Sequence, residues 1–171
     1  MHTGEQWRAV VEYEGLYEVS DQGRVRSVDR VLSTRGGYQK VVRGRVLRAQ
    51  PKPSGHLTVT LSSNNRPARC SVHGLVARAF LGERPLGLDV CHKDGNPSNN
   101  RVSNLRFDTK TENNLDAVRH GTHVQARKTH CPQGHAYDRR RTDKPGRRCS
   151  TCVAATNAKK YQKRKLRSAA A

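Results

Sequence analysis

Carboxylates are scarce in this chain. Fourteen Asp and Glu stand against thirty-three Lys and Arg, giving a formal net charge of +19 over 171 residues. So large an imbalance makes a polyanion the natural partner. Apolar residues are few as well: hydrophobic types make up 33% of the chain, with one Trp, two Phe and one Met. A chain so poor in them cannot build one large core, and several small modules sharing a basic surface are expected. No apolar run is long enough to cross a membrane and no signal segment is visible, so a cytoplasmic protein with no membrane partner is expected. Five cysteines, an odd number, disfavour a disulfide framework. Internal repeats and long heptad patterns are absent.

The charge that is present is unevenly spread. Residues 1–50 hold nine basic and six acidic side chains, residues 51–125 ten and six, and residues 126–171 fourteen and two, so the last segment alone supplies +12. Such a segment binds phosphates with little sequence preference and strong salt dependence. Arg139, Arg140, Arg141, Lys159 and Lys160 are its candidate DNA contacts.

The same segment holds a metal signature. Cys131-Pro132-Gln133-Gly134-His135 and Cys149-Ser150-Thr151-Cys152 are spaced C-x3-H, thirteen residues, then C-x2-C. Tetrahedral zinc takes such thiolate and imidazole sets, so Cys131, His135, Cys149 and Cys152 are the expected ligands of a structural zinc. His130 is a competitor for the imidazole position. Gly134 permits a tight knuckle, the stretch with Pro145-Gly146 reads as a hairpin, and a basic helix is expected from about Val153 to Arg167. With so few apolar residues the module depends on its metal to fold. The helix is expected to stay frayed until it meets phosphate, and Ser168 to Ala171 to be disordered. Cys70, in an expected strand, is most simply a small buried residue.

Between Val90 and Asp116 the chain reads VCHKDGNPSNNRVSNLRFDTKTENNLD. His92, Asn104 twelve residues on and Asn113 nine further run across a turn-rich loop, a short strand at Leu105 and Phe107, and a helix over 110–120 capped by Thr109 or Thr111. Hydrolysis of a phosphodiester needs a base for water and a cation for the developing charge. His92 can be the base, Asn104 can hold its ring, and Asn113 can offer an oxygen to a metal. The bland reading of Asn104 is a loop asparagine that satisfies nearby backbone.

This ordered set resembles the HNH endonucleases, in particular the phage and intron-encoded homing branch. The resemblance implies a ββα-metal fold in which His92 activates water, Asn104 orients that histidine and Asn113 binds a divalent cation, magnesium or manganese. Relatives often carry Asp or Asn, a metal ligand, just before the histidine; here Cys91 stands there, and a thiol suits magnesium poorly. Helical spacing offers Asp116 as a substitute, with His120 behind it, since Asn113, Asp116 and His120 share one face. Asp94, in Asp94-Gly95, reads as a turn former. The Cys/His set resembles a treble-clef or ribbon-type finger of the kind attached to phage HNH proteins.

Upstream, Trp7, then Tyr13-Glu14-Gly15-Leu16-Tyr17-Glu18-Val19-Ser20, then Gly23-Arg24-Val25-Arg26-Ser27 resembles a modular motif that often precedes HNH domains. Short alternating strands around Ser20-Asp21-Gln22-Gly23 are expected, with Trp7 plugging their core. Arg24 and Arg26 face outward, where they could reach phosphates or stay solvated. Lys40–Leu47 and His56–Ser62 read as strands, with Leu57, Val59 and Leu61 on one face, and Ser63-Asn64-Asn65 turns the chain into Ala68–Val72. A helix over His73–Phe80 follows, ended by Gly82. His73 at its head could approach a scissile phosphate, though a satisfied structural histidine is the simpler reading.

The expected fold class is therefore α+β: an N-terminal β module over residues 1–50, a ββα-metal nuclease core over 51–125, a zinc module over 126–155 and a basic helical tail over 156–171. The expected function is metal-dependent cleavage of double-stranded DNA by a homing-type nicking enzyme. A DNA-binding protein with a degenerate site is the alternative that Cys91 keeps open. A weaker third option is a zinc-finger regulator.

Overall fold

The computed structural model describes residues 4–33, 36–141 and 146–169. They fall into two compact units, Met1–Thr122 and His123–Ala171.

The first unit opens with an antiparallel meander of β1 (Trp7–Ala9), β2 (Tyr17–Ser20) and β3 (Val25–Ser27). Alternation turns Tyr17 and Val19 inward, and the Ser20 hydroxyl accepts the Arg24 amide at 3.0 Å to close the turn between β2 and β3. A separate hairpin pairs β4 (Arg30–Ser33) with β5 (Gln39–Val42). A second three-stranded sheet then orders β6 (Gln50–Pro51), β7 (Leu57–Ser63) and β8 (Arg66–Ser71). Asn64 and Asn65 make its tight turn at φ 51° and 60°, a left-handed pair that asparagine tolerates and that matches the twist of a hairpin. Helix α1 (Val72–Phe80) follows without a break and buries Val72, Val76 and Ala77. Strands β9 (Leu88–His92) and β10 (Leu105–Thr109) pair antiparallel with His92 opposite Leu105. Helix α2 (Lys110–Arg119) is capped by the Thr109 side chain, which accepts the Glu112 amide.

One core joins the meander, the second sheet, α1 and β10, while the β4–β5 hairpin leaves Val31, Leu32 and Val41 exposed. Val10, Tyr17, Val19 and Val25 pack with Val59 and Leu61 of β7, Val72 and Val76 of α1, and Leu105 of β10. The Tyr17 hydroxyl adds a polar tie across the join, taking the Ser62 amide at 3.1 Å. Core residues on either side of residue 50 thus pack in one cluster.

Two local expectations are corrected. Trp7 does not plug the core; it is half-buried at the edge of β1, with the Arg26 guanidinium 4.1 Å and the Arg24 guanidinium 5.8 Å from its ring. The β meander already fills its interior with Val10, Val19 and Val25, and the indole serves as a platform for cations. Nor is Lys40–Leu47 one strand. β5 ends at Val42 because the Asp29 carboxylate takes the Gly44 amide at 2.7 Å and the Arg43 guanidinium at 2.7 Å, pulling the chain out of the ladder. Only an isolated bridge between Val46 and Arg26 follows.

The second unit contains the short helix α3 (Val124–Arg127), the two-stranded ribbon β11 (Arg139–Arg140) with β12 (Arg147–Arg148), and α4 (Ser150–Ala169). The ribbon agrees with the hairpin expected there, although Pro145 lies outside the described residues. Among the described residues of this unit only Cys131 and Cys149 are buried. Asp138 starts α4: its carboxylate accepts the Ser150 amide at 2.9 Å and the Ser150 hydroxyl, bonds that also hold its carboxyl below the ordinary range. Ser168, expected to be disordered, is helical; its hydroxyl donates to the Lys165 carbonyl at 3.0 Å and closes the last turn. No helix among the described residues is long and apolar enough to cross a membrane.

Candidate active site and metal centre

His92 ends β9 and is buried, 8% exposed. Its Nε2 lies 3.0 Å from Oδ1 of Asn100, while the Asn100 amide nitrogen donates to the Ser98 carbonyl at 3.3 Å. The second bond fixes which end of the amide faces the ring. An oxygen there accepts only, so Nε2 carries the proton and Nδ1 keeps a lone pair.

The residue that holds the ring is thus Asn100, not Asn104. Asn104 knits the intervening loop instead: its Oδ1 accepts the Asp94 amide at 3.1 Å, and its amide nitrogen donates to Asp94 Oδ1 at 2.9 Å and to the Asn99 carbonyl at 2.8 Å. Asp94 also accepts from the Asn96 amide and the Asn99 side chain, as a turn former does. These bonds outweigh its partial burial and keep its carboxyl below the ordinary range. The loop between β9 and β10 is therefore a closed polar network that delivers Asn100 to His92.

Asn100 is in turn clamped from the N-terminal meander. The Val102 amide donates to the Asp21 carbonyl at 2.8 Å, and Gly23, at φ 82°, presses on Asn100. A Cβ at Gly23 would lie 2.8 Å from the Asn100 Cβ and 3.0 Å from its carbonyl atoms. Gly23→Ala should therefore cost about 1–2 kcal/mol in backbone strain alone and push Asn100 off the imidazole. Thermal unfolding together with a DNA-cleavage assay checks this: both should fall, and an unchanged cleavage rate would show that Asn100 tolerates the shift.

The expected metal side chains are distributed differently from their sequence pattern. Asn113 is exposed on α2 and lines a cavity of about 640 Å³ with His73, Arg78, Arg84, Asp89 and Val90. Asp116 faces elsewhere. It is buried, and its two oxygens are taken by the guanidinium groups of Arg106 and Arg119, so it anchors α2 to β10 rather than offering an oxygen to a metal. His120 caps α2 and stands over the Asp94-Gly95 turn, where a Cβ on Gly95 would come within 2.5 Å of its ring. Cys91 is 1% exposed, its thiol donates to the Asp89 carbonyl at 3.7 Å, and burial pushes the thiol up. Buried and bonded to the strand's own backbone, it offers a hard cation no oxygen. Asp89, two residues before Cys91, carries a carboxylate that shares the cavity with Asn113; the spacing from His92 gave no sign of it.

Asp116 yields a pH prediction. Bonds to Arg106 first, then Arg119, hold its carboxyl below the ordinary 3.8. Its contribution to stability is complete above that value and is lost as the pH falls through the lower value of the folded state. Urea unfolding across acidic pH should show Asp116→Asn less stable than the parent near neutrality and less sensitive to acid below about pH 3.8.

The second unit brings Cys131, His135, Cys149 and Cys152 together, their ligand atoms all within 4.8 Å of one another. Sγ of Cys131 is 3.6 Å from Sγ of Cys152 and 3.7 Å from Nδ1 of His135, and that nitrogen is 3.3 Å from Sγ of Cys152. Edges of about 3.4–3.8 Å are those of a tetrahedron built on metal–ligand bonds of 2.1–2.3 Å. The knuckle forms as its glycine allows: Gly134 sits at φ 80° and its amide donates to the Cys131 carbonyl. Burial opposes ionisation of Cys131, yet the backbone N–H groups of Gln133 and His135 bring its thiol down to about 7. The Cys131 contact, burial and Cys149 push Cys152 up to about 11. Three thiols so crowded favour a cation among them. His130 is not part of the set; its ring contacts the Thr129 hydroxyl at 2.8 Å.

Residues 5–62 match the NUMOD4 motif, and residues 70–115 match the HNH endonuclease model. The chain thus carries an HNH endonuclease domain preceded by a NUMOD4 motif. It is 32% identical over 117 residues to the DNA endonuclease I-HmuI of Bacillus phage SP01, which covers 68% of this chain and 60% of that protein. It is 30% identical over 115 residues to the HNH endonuclease L245 of Acanthamoeba polyphaga mimivirus, covering 67% of this chain and 30% of that protein. A solved structure described as DNA binding and cleavage by the HNH homing endonuclease I-HmuI matches with a TM-score of 0.55 at 32% identity, over 68% of this chain and 60% of that one. The HNH chain thus spans about 60% of the length of that phage relative. The two family matches end before the Cys/His cluster, which lies in the unit that follows. The HNH match holds His92, Asn100, Asn104 and Asn113, and the NUMOD4 match holds Gly23, so the clamp on Asn100 runs from one motif to the other.

Proposed function

We propose that this chain is a metal-dependent DNA endonuclease of the phage homing type, hydrolysing one phosphodiester at a time. The observation that carries the reading is the bond between His92 Nε2 and Asn100 Oδ1, which fixes the ring and commits Nε2, so that Nδ1 is the nitrogen available to take a proton from water. A magnesium or manganese ion, held by the Asn113 amide oxygen with the Asp89 carboxylate in the same cavity, would stabilise the departing 3′ oxygen. A monomer with one such site nicks, and a double-strand break needs a second.

In the second unit the four Cys/His ligands suit zinc, whose role would be structural. That unit also favours double-stranded DNA as partner. Arg139 stands opposite Arg148 and Arg140 opposite Arg147 across the exposed ribbon, a dense strip of positive charge that suits phosphates. Arg141 continues this ribbon, and Lys159 and Lys160 are exposed on α4. Arg24 and Arg26, half-turned to Glu5 and Glu18 over the Trp7 ring, would add phosphate contacts from the first unit.

A second reading, DNA binding without cleavage, is favoured by one observation: the buried Cys91 stands where relatives often carry a carboxylate. Purified protein on supercoiled plasmid in magnesium or manganese separates the two. Nicking that disappears in His92→Ala supports the enzyme, while tight binding with intact plasmid in both metals supports the second reading.

A further inference from the structure

Two further imidazoles meet the proposed base. The ring centroids of His56 and His73 lie 5.0 Å apart, those of His56 and His92 5.6 Å, and those of His73 and His92 5.4 Å. They come from β7's leading edge, the first turn of α1 and the end of β9, so only the fold brings them together. Of the three, His73 alone also lines the cavity of Asn113, Asp89, Arg78 and Arg84. It is therefore the side chain that joins the base to the cavity where a cation is expected.

We propose that His73 is a further catalytic residue, donating a ring N–H to a non-bridging oxygen of the scissile phosphodiester. The proposal rests on the reading of His92 and Asn113 as a phosphodiesterase site. A purely structural histidine would have its polar atoms satisfied. Here no hydrogen bond among the described residues holds the ring: Nδ1 of His73 is sealed from solvent without a partner, so Nε2 is the nitrogen that can carry its N–H to a phosphate. Nor is the ring needed to start α1, whose first turn is led by Ser71 and has no acidic residue. Burial first, then His56, His92 and Lys52, lower the His73 value to about 4. At neutral pH the ring is uncharged and carries one N–H, so it offers a hydrogen bond without adding a positive charge beside the base. A fixed donor aimed at an oxygen that gains charge in the transition state stabilises that state more than the ground state. Arg78 and Arg84 on the same cavity wall supply the cationic surroundings that draw a phosphate in.

The test uses the full chain with its second unit loaded with zinc. In a single-turnover nicking assay on supercoiled plasmid, His73→Phe, which keeps an aromatic ring but has no donor, should cleave about 100-fold more slowly, with DNA affinity unchanged. His73→Gln, which restores an N–H, should recover part of that loss. A His73→Phe variant as fast as the parent would reduce the residue to packing and overturn the inference. An independent readout is the set of histidine Cε1–H resonances, with the His73 signal identified by its disappearance in His73→Gln. That signal should move when a short random-sequence DNA duplex is added without magnesium or manganese, and an unmoved signal would also overturn it. If the parent itself fails to nick plasmid, the phosphodiesterase reading falls, while the resonance measurement still decides whether His73 meets DNA.

Discussion

The His92→Ala variant is expected to hold DNA as tightly as the parent and to nick it at least ~100-fold more slowly in magnesium or manganese. Affinity in this chain is expected from its lysines and arginines, most dense in residues 126–171, and removing one imidazole leaves that term untouched. In the proposed mechanism, rate resides in a single lone pair. Nε2 is committed to Asn100, and Nδ1 is the atom left to take a proton from water. Asn100→Ala therefore should produce a smaller loss of the same kind, since the imidazole survives but neither its tautomer nor its orientation is held. Asn100 is 3% exposed, so its removal also leaves a buried gap, and circular dichroism must accompany the kinetics to separate lost folding from lost chemistry. Equal nicking by His92→Ala and the parent would dismiss the histidine as the base.

Removal of the metal from the second unit is expected to unfold it. Its buried side chains among the described residues are two of the ligands themselves, and the remaining surface is dominated by Arg and Lys. Without a cation the thiols and imidazole only crowd one another, whereas zinc binding supplies about 10–16 kcal/mol in comparable small modules. Treatment with a zinc chelator, or Cys149→Ser, should abolish the helical signal of α4 and release the β11–β12 ribbon to protease. The apolar core of Val19, Leu61, Val72 and Leu105 lies wholly in the first unit, so the thermal transition of that unit should persist. A helical signal that survives chelation with zinc fully stripped would show that α4 stands without the cluster.

Much of this was legible in the amino-acid order. The C-x3-H and C-x2-C spacings led to a cluster of four ligand atoms. The alternation at Leu57, Val59 and Leu61 led to β7, the paired asparagines to its turn, and Thr109 with Glu112 to the start of α2. Other expectations failed for reasons of competition. Trp7 lost its place in the core to smaller side chains that filled it first, and the strand expected over Lys40–Leu47 gave way to the Asp29 carboxylate. Asp116 shares a helical face with Asn113 by spacing, yet two guanidinium groups occupy its oxygens, and Cys91 packs as a buried thiol.

The sequence by itself determined the basic character, the Cys/His cluster, the turns and most strands and helices, because each depends on composition or on residues a few positions apart. Tertiary structure alone decided that Asn100 rather than Asn104 holds His92, that Gly23 presses on Asn100 from the N-terminal meander, and that His56, His73 and His92 meet. Those contacts join residues separated by eight to seventy-seven positions. They depend on where a closed polar loop and one shared core place each backbone, and no local pattern encodes that placement.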